Sequence, residues 1–99
     1  MAGEKKLQNA VIRWMSRQQK NGVQIHWLKI HGNGMQRSGE PDLIICFEGF
    51  FYAVELKFEK NKPTKLQEFR LQQWKNAGGK SFVVNQLDEF KKIFSKTDS

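Results

Sequence analysis

The sequence is poor in cysteine, histidine and proline, and it has no long apolar run. The single cysteine, Cys46, cannot form an intrachain disulfide, and one cysteine with two histidines is too few for a structural zinc site. No apolar run approaches the roughly 20 residues that span a membrane. The N-terminal Met-Ala-Gly-Glu-Lys-Lys also lacks the apolar segment of a signal peptide. These absences predict a cytoplasmic protein that is neither secreted nor inserted in a membrane.

Acidic residues are scarce relative to basic ones: 10 Asp and Glu stand against 17 Lys and Arg, which gives a net charge of +7. Such an excess indicates a polyanionic partner, and nucleic acid is the first candidate. A membrane surface is the second, but no basic amphipathic helix with an aromatic apolar face stands apart from the expected core. The 99 residues contain no repeat and no linker, so they predict one domain over residues 1–99.

What the sequence does contain is a regular succession of helical and strand patterns. Apolar residues at i, i+3, i+4 and i+7 predict a first helix over residues 4–19, which Asn21-Gly22 ends. Runs of β-branched and aromatic residues predict a three-stranded meander over residues 23–58, interrupted by a glycine-rich loop at 31–40. The remaining predicted elements are a second helix at 64–77, a fourth strand at 81–85 and a last helix at 87–94.

The order of these elements, α-β-β-β-α-β and then a last helix, indicates an α/β fold. The first three strands should be antiparallel neighbours. The helix between the third and fourth strands makes those two strands parallel, with a right-handed connection. The expected fold is a three-layer sandwich in which helices cover a mixed four-stranded sheet.

Two acidic residues lie at matching positions of a predicted hairpin. If the turn centres on Glu48-Gly49, counting outward along the two strands places Asp42 opposite Glu55. Directly opposed side chains project to one face with Cβ atoms roughly 5 Å apart. Lys57 lies two residues beyond Glu55 and therefore shares that face. The hairpin thus predicts two carboxylates and an amine around one point.

Such a trio could be an ordinary surface ladder of opposite charges. Against that reading, the strand interiors carry no charge, and the charges occur only where the two strands share an end. Pro41 restricts the backbone before Asp42, and Gly39 is expected to leave room for an approaching phosphate or backbone. Oxygen ligands without His or Cys suit Mg²⁺ or Mn²⁺, and the carbonyl of Leu56 could supply another oxygen.

The spacing resembles a known pattern: Gly39-Glu40-Pro41-Asp42, then Glu55-Leu56-Lys57, then Lys65-Leu66-Gln67 opening a helix. It is similar to the PD-(D/E)xK, restriction-endonuclease-like superfamily. Within that superfamily it is similar to stand-alone virus-type VRR-NUC nucleases, which are related to Holliday-junction resolvases. The resemblance extends from Glu4 to about Phe90 and implies an intracellular protein of phage or prokaryotic type.

The resemblance also implies roles for individual residues. Asp42, Glu55 and the Leu56 carbonyl would bind Mg²⁺ or Mn²⁺, and Lys57 would help to activate water for phosphodiester hydrolysis. The acidic residue of the family's first helix corresponds to Glu4, a further metal ligand. The family implies a duty for Gln67 near the metal or the scissile phosphate. Thr64-Lys65-Leu66-Gln67 also fits a helix-capping box, which would explain Gln67 without catalysis.

Basic and polar residues flank the predicted site and are expected to contact the nucleic-acid backbone. They are Lys29, His31, Arg37, Ser38, Lys60, Lys62 and Lys65. A lone histidine in a glycine-rich loop is weak grounds for a general base, so His31 is predicted only as a substrate contact. His26 and most of the aromatic residues are expected in the core.

The sequence therefore predicts a Mg²⁺- or Mn²⁺-dependent endonuclease acting on branched DNA such as four-way junctions, without a small-molecule cofactor. A non-catalytic DNA-binding module and an RNase on the same fold are the alternatives. Relatedness to junction resolvases, together with the aromatic cluster Phe50, Phe51 and Tyr52 at the hairpin turn, predicts a homodimer. The alternative is a monomer in which these aromatics pack under the last helix.

Overall fold

The structure is a computed structural model, and it describes residues 2–30 and 37–95. The elements are α1 (Ala2–Lys20), β1 (Ile25–Lys29), β2 (Leu43–Phe47), β3 (Phe50–Leu56), α2 (Lys65–Asn76), β4 (Lys80–Val84) and α3 (Leu87–Ile93). Their order is the predicted one, and their ends differ from the predicted ends by at most two residues.

The four strands form one mixed sheet in the order β1-β2-β3-β4. β1 with β2 and β2 with β3 are antiparallel, whereas β3 and β4 are parallel and joined through α2. The hairpin between β2 and β3 turns at Glu48 (φ 50) and Gly49 (φ 86), the two positive φ values of a type I′ turn. Phe47 consequently pairs with Phe50 and Leu43 with Val54, which is the predicted register.

The main core lies between one face of the sheet and the helices α1 and α3. Alternate residues of β2 and β3 supply the sheet side, and Val11, Met15 and Phe90 are fully buried on the helix side. Further residues of this cluster are Leu7, Ile25, Leu43, Ile45, Phe47, Tyr52, Val54, Leu56, Val84 and Phe94. This packing fixes the face of the sheet that each strand residue occupies.

Helix α2 packs on the opposite face, which gives the predicted three layers. The ring of Trp74 stacks on Phe51 with centroids 4.9 Å apart, and the Ser81 hydroxyl donates to the carbonyl of Leu71 at 2.8 Å. α2 contacts β3 and β4 but not β1, so Leu28 on β1 remains 64% exposed. No helix among residues 2–30 and 37–95 is long and apolar enough to cross a membrane.

The expectation that the aromatic residues and His26 lie in the core is wrong at several positions. Phe50 is 57% exposed and Phe69 is 55% exposed, and Phe58 and Phe82 are also exposed. The His26 side chain is exposed beside Gln19, with its Nδ1 3.3 Å from the amide nitrogen of that residue. His26 shares with Leu28 the sheet face on which α2 covers only β3 and β4, whereas Phe50 and Phe82 lie on the opposite face, which α1 and α3 cover incompletely. The periodicity of a strand does not reveal where the covering helices end.

Candidate metal and catalytic site

Asp42 and Glu55 occupy the first positions beyond the last residue pair of the β2–β3 ladder, Leu43 with Val54. The Asp42 carboxylate is held by the next strand, because the backbone N–H of Leu56 donates to its Oδ2 at 2.8 Å. The carbonyl of Asp42 accepts from the N–H of Ile30 at 2.8 Å, just after the end of β1. Asp42 is therefore tied to both neighbouring strand ends, which fixes its carboxylate at this edge.

Glu55 is only 2% exposed, although it carries a carboxylate. Its Oε2 lies 3.5 Å from Nζ of Lys57, whose side chain is 15% exposed. Its Oε1 is fully buried and accepts no hydrogen bond from any part of the chain that the structure describes. A buried oxygen without a donor is costly, so this position is suited to a cation that arrives from outside the chain.

The electrostatics of the pair favour protonation in the metal-free protein. The pKa of Glu55 is raised to about 7, chiefly by burial and next by the charge of Asp42, and Lys57 opposes both. Burial also raises the pKa of Asp42, against the lowering effect of the Leu56 N–H. Each of two neighbouring carboxylates destabilises the charged form of the other. A bound divalent cation would reverse this effect by stabilising both charged forms.

Asp42 borders a cavity of about 210 Å³ that is also lined by Glu4, Lys5, Gln8 and Leu56. The charge of Glu4 raises the pKa of both Asp42 and Glu55, so Glu4 lies near the pair, and its role as a metal ligand stays a prediction. Within residues 2–30 and 37–95, however, no three acidic, histidine or cysteine side chains converge into a preformed metal cluster. Asp42 and Glu55 form the fixed part of the site, with Glu4 across the cavity.

Sequence reasoning missed two residues of this cavity wall, Lys5 and Gln8. Gln8 lies one turn after Glu4 on α1, and Lys5 is the next residue along from Glu4. The helical spacing from Glu4 to Gln8 was the signal that could have identified Gln8. Lys5 brings a positive charge to the cavity wall.

The loop before Asp42 is fastened to α2 by a buried carboxylate that sequence reasoning also missed. The Glu40 side chain is 9% exposed, its Oε1 accepts from the indole N–H of Trp74 at 3.0 Å, and its Oε2 pairs with Arg37 and Arg70. Nε of Arg70 also donates to the carbonyl of Ser38 at 3.1 Å. Apart from the local pair of Arg37 with Glu40, these contacts join residues 30 to 34 positions apart, so no local pattern indicates them.

Gly39 leaves room for a closely approaching backbone, as one of its two expectations had it, but not for a phosphate. A Cβ on this residue would lie 2.6 Å from Cγ of Leu66, and the φ of Gly39 is +83. The space beside it is filled by the Leu66 side chain of α2 and is not open to a phosphate. Glycine is needed here because the left-handed backbone and the close helix both exclude a side chain.

Gln67 forms the capping box that its sequence indicated. Its backbone N–H donates to the hydroxyl of Thr64 at 3.1 Å, and its Oε1 accepts from the Thr64 N–H at 2.8 Å. The start of α2 therefore accounts for the residue, and capping engages only the oxygen of its amide. A catalytic role for Gln67 stays a prediction.

The residues predicted to contact nucleic acid differ in their surroundings. The charge of Lys29 lowers the pKa of Asp42, so this amine lies near the carboxylate pair. Lys60, Lys62 and Lys65 are exposed on the segment after Lys57 and at the start of α2. Arg37 is paired with Glu40 but keeps 61% of its side chain exposed, while Ser38 is exposed and uses its carbonyl to accept from Arg70. His31 lies outside the described residues.

The raised pKa of Glu55 predicts a stability that depends on pH in metal-free buffer. The folded state holds a proton on Glu55 up to about pH 7, whereas the unfolded chain releases it near 4.5. The free energy of unfolding should therefore fall as the pH rises through this window. Urea unfolding in EDTA should show wild type losing about 1 kcal/mol or more relative to Glu55→Gln between acidic and alkaline buffer. Parallel pH profiles for the two proteins would contradict the assignment.

The chain is similar in fold to two solved structures. A structure described as "VRR_NUC domain" superposes with a TM-score of 0.75 at 23% identity, covering 97% of this chain and 98% of the other. A second, described as "VRR_NUC domain protein", gives a TM-score of 0.70 at 21% identity over 91% of this chain and 83% of that one. No family model and no curated protein matches the sequence. The resemblance inferred from the motifs is thus confirmed for the fold: the chain has the α/β fold of these two VRR_NUC domain structures.

Proposed function

We propose that this protein is a divalent-metal-dependent nuclease that hydrolyses phosphodiester bonds within DNA. The observation that carries the proposal is the pairing of the buried Glu55 with the half-buried Asp42, with Lys57 3.5 Å from Glu55 and one Glu55 oxygen lacking a donor among the described residues. An isolated ion pair between Glu55 and Lys57 would not need a second carboxylate beside it. The VRR-NUC fold of the two solved structures supports the same reaction class.

The donor set fits a hard divalent cation. Asp42 and Glu55 offer carboxylate oxygens, the backbone of Leu56 lines the same cavity, and Glu4 stands across it. Oxygen donors of this kind suit Mg²⁺ or Mn²⁺, which keep several waters and bridge to phosphate. When bound, such an ion would polarise the scissile phosphate and lower the pKa of a water molecule.

The chain itself supplies positioning and positive charge. The hydrogen bond from the Leu56 N–H holds the Asp42 carboxylate in one orientation, so little reorganisation is needed when substrate arrives. Lys57, held beside Glu55, donates to the attacking water and offsets the charge that develops on the phosphate oxygens. The NH₂ of Gln67, which the capping box does not require, would donate to the same phosphate.

The basic residues around the site would hold the DNA backbone. A net charge of +7 exceeds what folding requires and favours association with a polyanion. Lys29 lies near Asp42, and Lys60, Lys62 and Lys65 continue the positive surface beyond Lys57. We propose that His31, Arg37 and Ser38 also contact the DNA backbone. Contacts of this kind track phosphates and carry no sequence information, which suits recognition of DNA shape.

We further propose a homodimer that makes paired nicks in branched DNA. A symmetric four-way junction offers two equivalent cleavage positions, and two-fold assembly is the commonest way to supply two sites. The hairpin aromatics support this less than expected, because Tyr52 packs on Phe94 and Phe51 stacks on Trp74. The remaining support is the exposure of two apolar side chains, Leu28 and Phe50, which lie on opposite faces of the sheet.

The first prediction concerns the carboxylates. Asp42→Asn and Glu55→Gln keep the side-chain shapes and remove one charge each, so cleavage should fall by about 100-fold or more. DNA affinity should be unchanged or higher, because negative charge beside the phosphate is relieved. Cleavage of duplex, flap and four-way-junction DNA and of matched RNA, in Mg²⁺ or Mn²⁺, is the measurement, and Ca²⁺ should support binding with little hydrolysis.

Other results of the cleavage assay would support an alternative function or remove a residue from the mechanism. Tight DNA binding without turnover in any metal would favour the non-catalytic module. Preferential cleavage of RNA would favour the RNase. Near-normal cleavage by either variant would remove that carboxylate from the mechanism.

The second prediction separates Lys57 from the basic surface. Lys57→Ala should lower the single-turnover cleavage rate by about 100-fold with little change in DNA affinity, because the amine acts on the developing charge. Lys62→Ala is the matched control on the exposed surface. It should weaken binding and reduce the slope of log affinity against log salt by about one. If Lys57→Ala changed only affinity, its catalytic assignment would be wrong.

The third prediction concerns assembly. Light scattering at micromolar concentration should give twice the chain mass of 11.6 kDa, both alone and with junction DNA. A mass of one chain under both conditions would end the homodimer proposal while leaving the cleavage chemistry unaffected.

A further inference from the structure

Lys57 lies at the point where the sheet ends and an irregular segment begins. Strand β3 stops at Leu56, although the N–H of Lys57 still donates to the carbonyl of Val84 at 2.9 Å. The chain then turns, with the N–H of Asn61 donating to the carbonyl of Phe58 at 3.1 Å and Glu59 in a left-handed conformation (φ 54). A non-glycine residue in that conformation needs support from its surroundings.

The side chain of Asn85 supplies that support. Its Nδ2 donates to the carbonyl of Lys57 at 3.1 Å and to the carbonyl of Glu59 at 2.8 Å. The carbonyl of Asn61 lies 3.5 Å from the same nitrogen. One side chain thus joins the turn after Lys57 to the corner between β4 and α3.

Asn85 is itself firmly placed. It follows the last residue of β4, and its backbone N–H donates to Oε1 of Glu89, in α3, at 2.7 Å. The corner is therefore anchored by the sheet on one side and by α3 on the other. The amide that faces the Lys57 turn projects from this fixed point.

From these contacts we infer that Asn85 is a positioning residue for Lys57: its amide holds the backbone on both sides of the turn so that the lysine amine stays beside Glu55. The inference rests on the proposed nuclease function and assigns Asn85 no contact with substrate. An amide is suited to the task because its NH₂ has two donors for two carbonyls. Aspartate has the same shape but no donor, so it would repel both carbonyls.

The test is a double-mutant cycle on cleavage. Asn85→Asp should lower the single-turnover rate by roughly tenfold to 100-fold, as expected when a catalytic group is displaced by about 1 Å, with DNA affinity within about twofold of wild type. In a Lys57→Ala background the same substitution should have almost no further effect, because the residue it positions is absent. Gln86→Glu, which adds the same charge at the exposed neighbouring residue, is the matched control and should cleave normally.

An equal loss of rate in both backgrounds, an effect on affinity alone, or no effect would overturn the inference. If Asn85→Asp does not fold, Asn85→Ser takes its place, since the shorter hydroxyl cannot reach both carbonyls and should cause the same background-dependent loss.

A second readout does not require activity and separates this inference from the proposed function. Amide hydrogen exchange at Lys57 and Asn61 should be faster by about tenfold or more in Asn85→Asp than in Gln86→Glu, while Val54 is unchanged. A wild-type protein that cleaves no substrate would defeat the proposed function, and the exchange rates would still decide whether Asn85 holds the turn. Unchanged exchange at Lys57 and Asn61 would overturn the inference.

Discussion

The register of the β2–β3 hairpin is the constraint on which the rest of the structure depends. The type I′ turn at Glu48 and Gly49 sets it, and the apolar residues on one face of the two strands reinforce it. Because side chains alternate with a period of two, a slip of one residue would turn the core residues of a strand outward. The same slip would separate Asp42 from Glu55. Core formation and site formation are therefore one requirement in this chain.

The site carries an electrostatic cost that the core must offset. A buried glutamate with an oxygen that finds no donor among the described residues, beside a second carboxylate, opposes folding at neutral pH, as the raised pKa values of both groups indicate. Hydrogen bonds to distant side chains hold the backbone on either side of this pair. Glu40, held by Trp74, anchors the chain before Asp42, and Asn85 anchors the chain after Lys57.

The similarity to VRR-NUC structures supports a conclusion about the fold, whereas the arrangement of the site supports a conclusion about the reaction. At 21–23% identity, the superpositions establish the fold. A fold hosts more than one function, so the proposed reaction depends on the side chains at the sheet edge. Hydrolysis is the preferred interpretation for three reasons. Asp42 and Glu55 lie together, the amine of Lys57 lies beside Glu55, and Asp42 shares a cavity with Glu4.

The sequence by itself determined the features that depend on short-range geometry. Helical and strand periodicity located the elements, the Glu-Gly turn set the hairpin register, and Thr64 with Gln67 marked the capping box. Tertiary structure alone decided which sheet face stays uncovered at Leu28, and why residue 39 must be glycine. It also decided the hydrogen bonds of Glu40 to Trp74 and of Asn85 to Lys57. These link residues 34 and 28 positions apart, and such contacts follow from how whole elements pack, which no local pattern encodes.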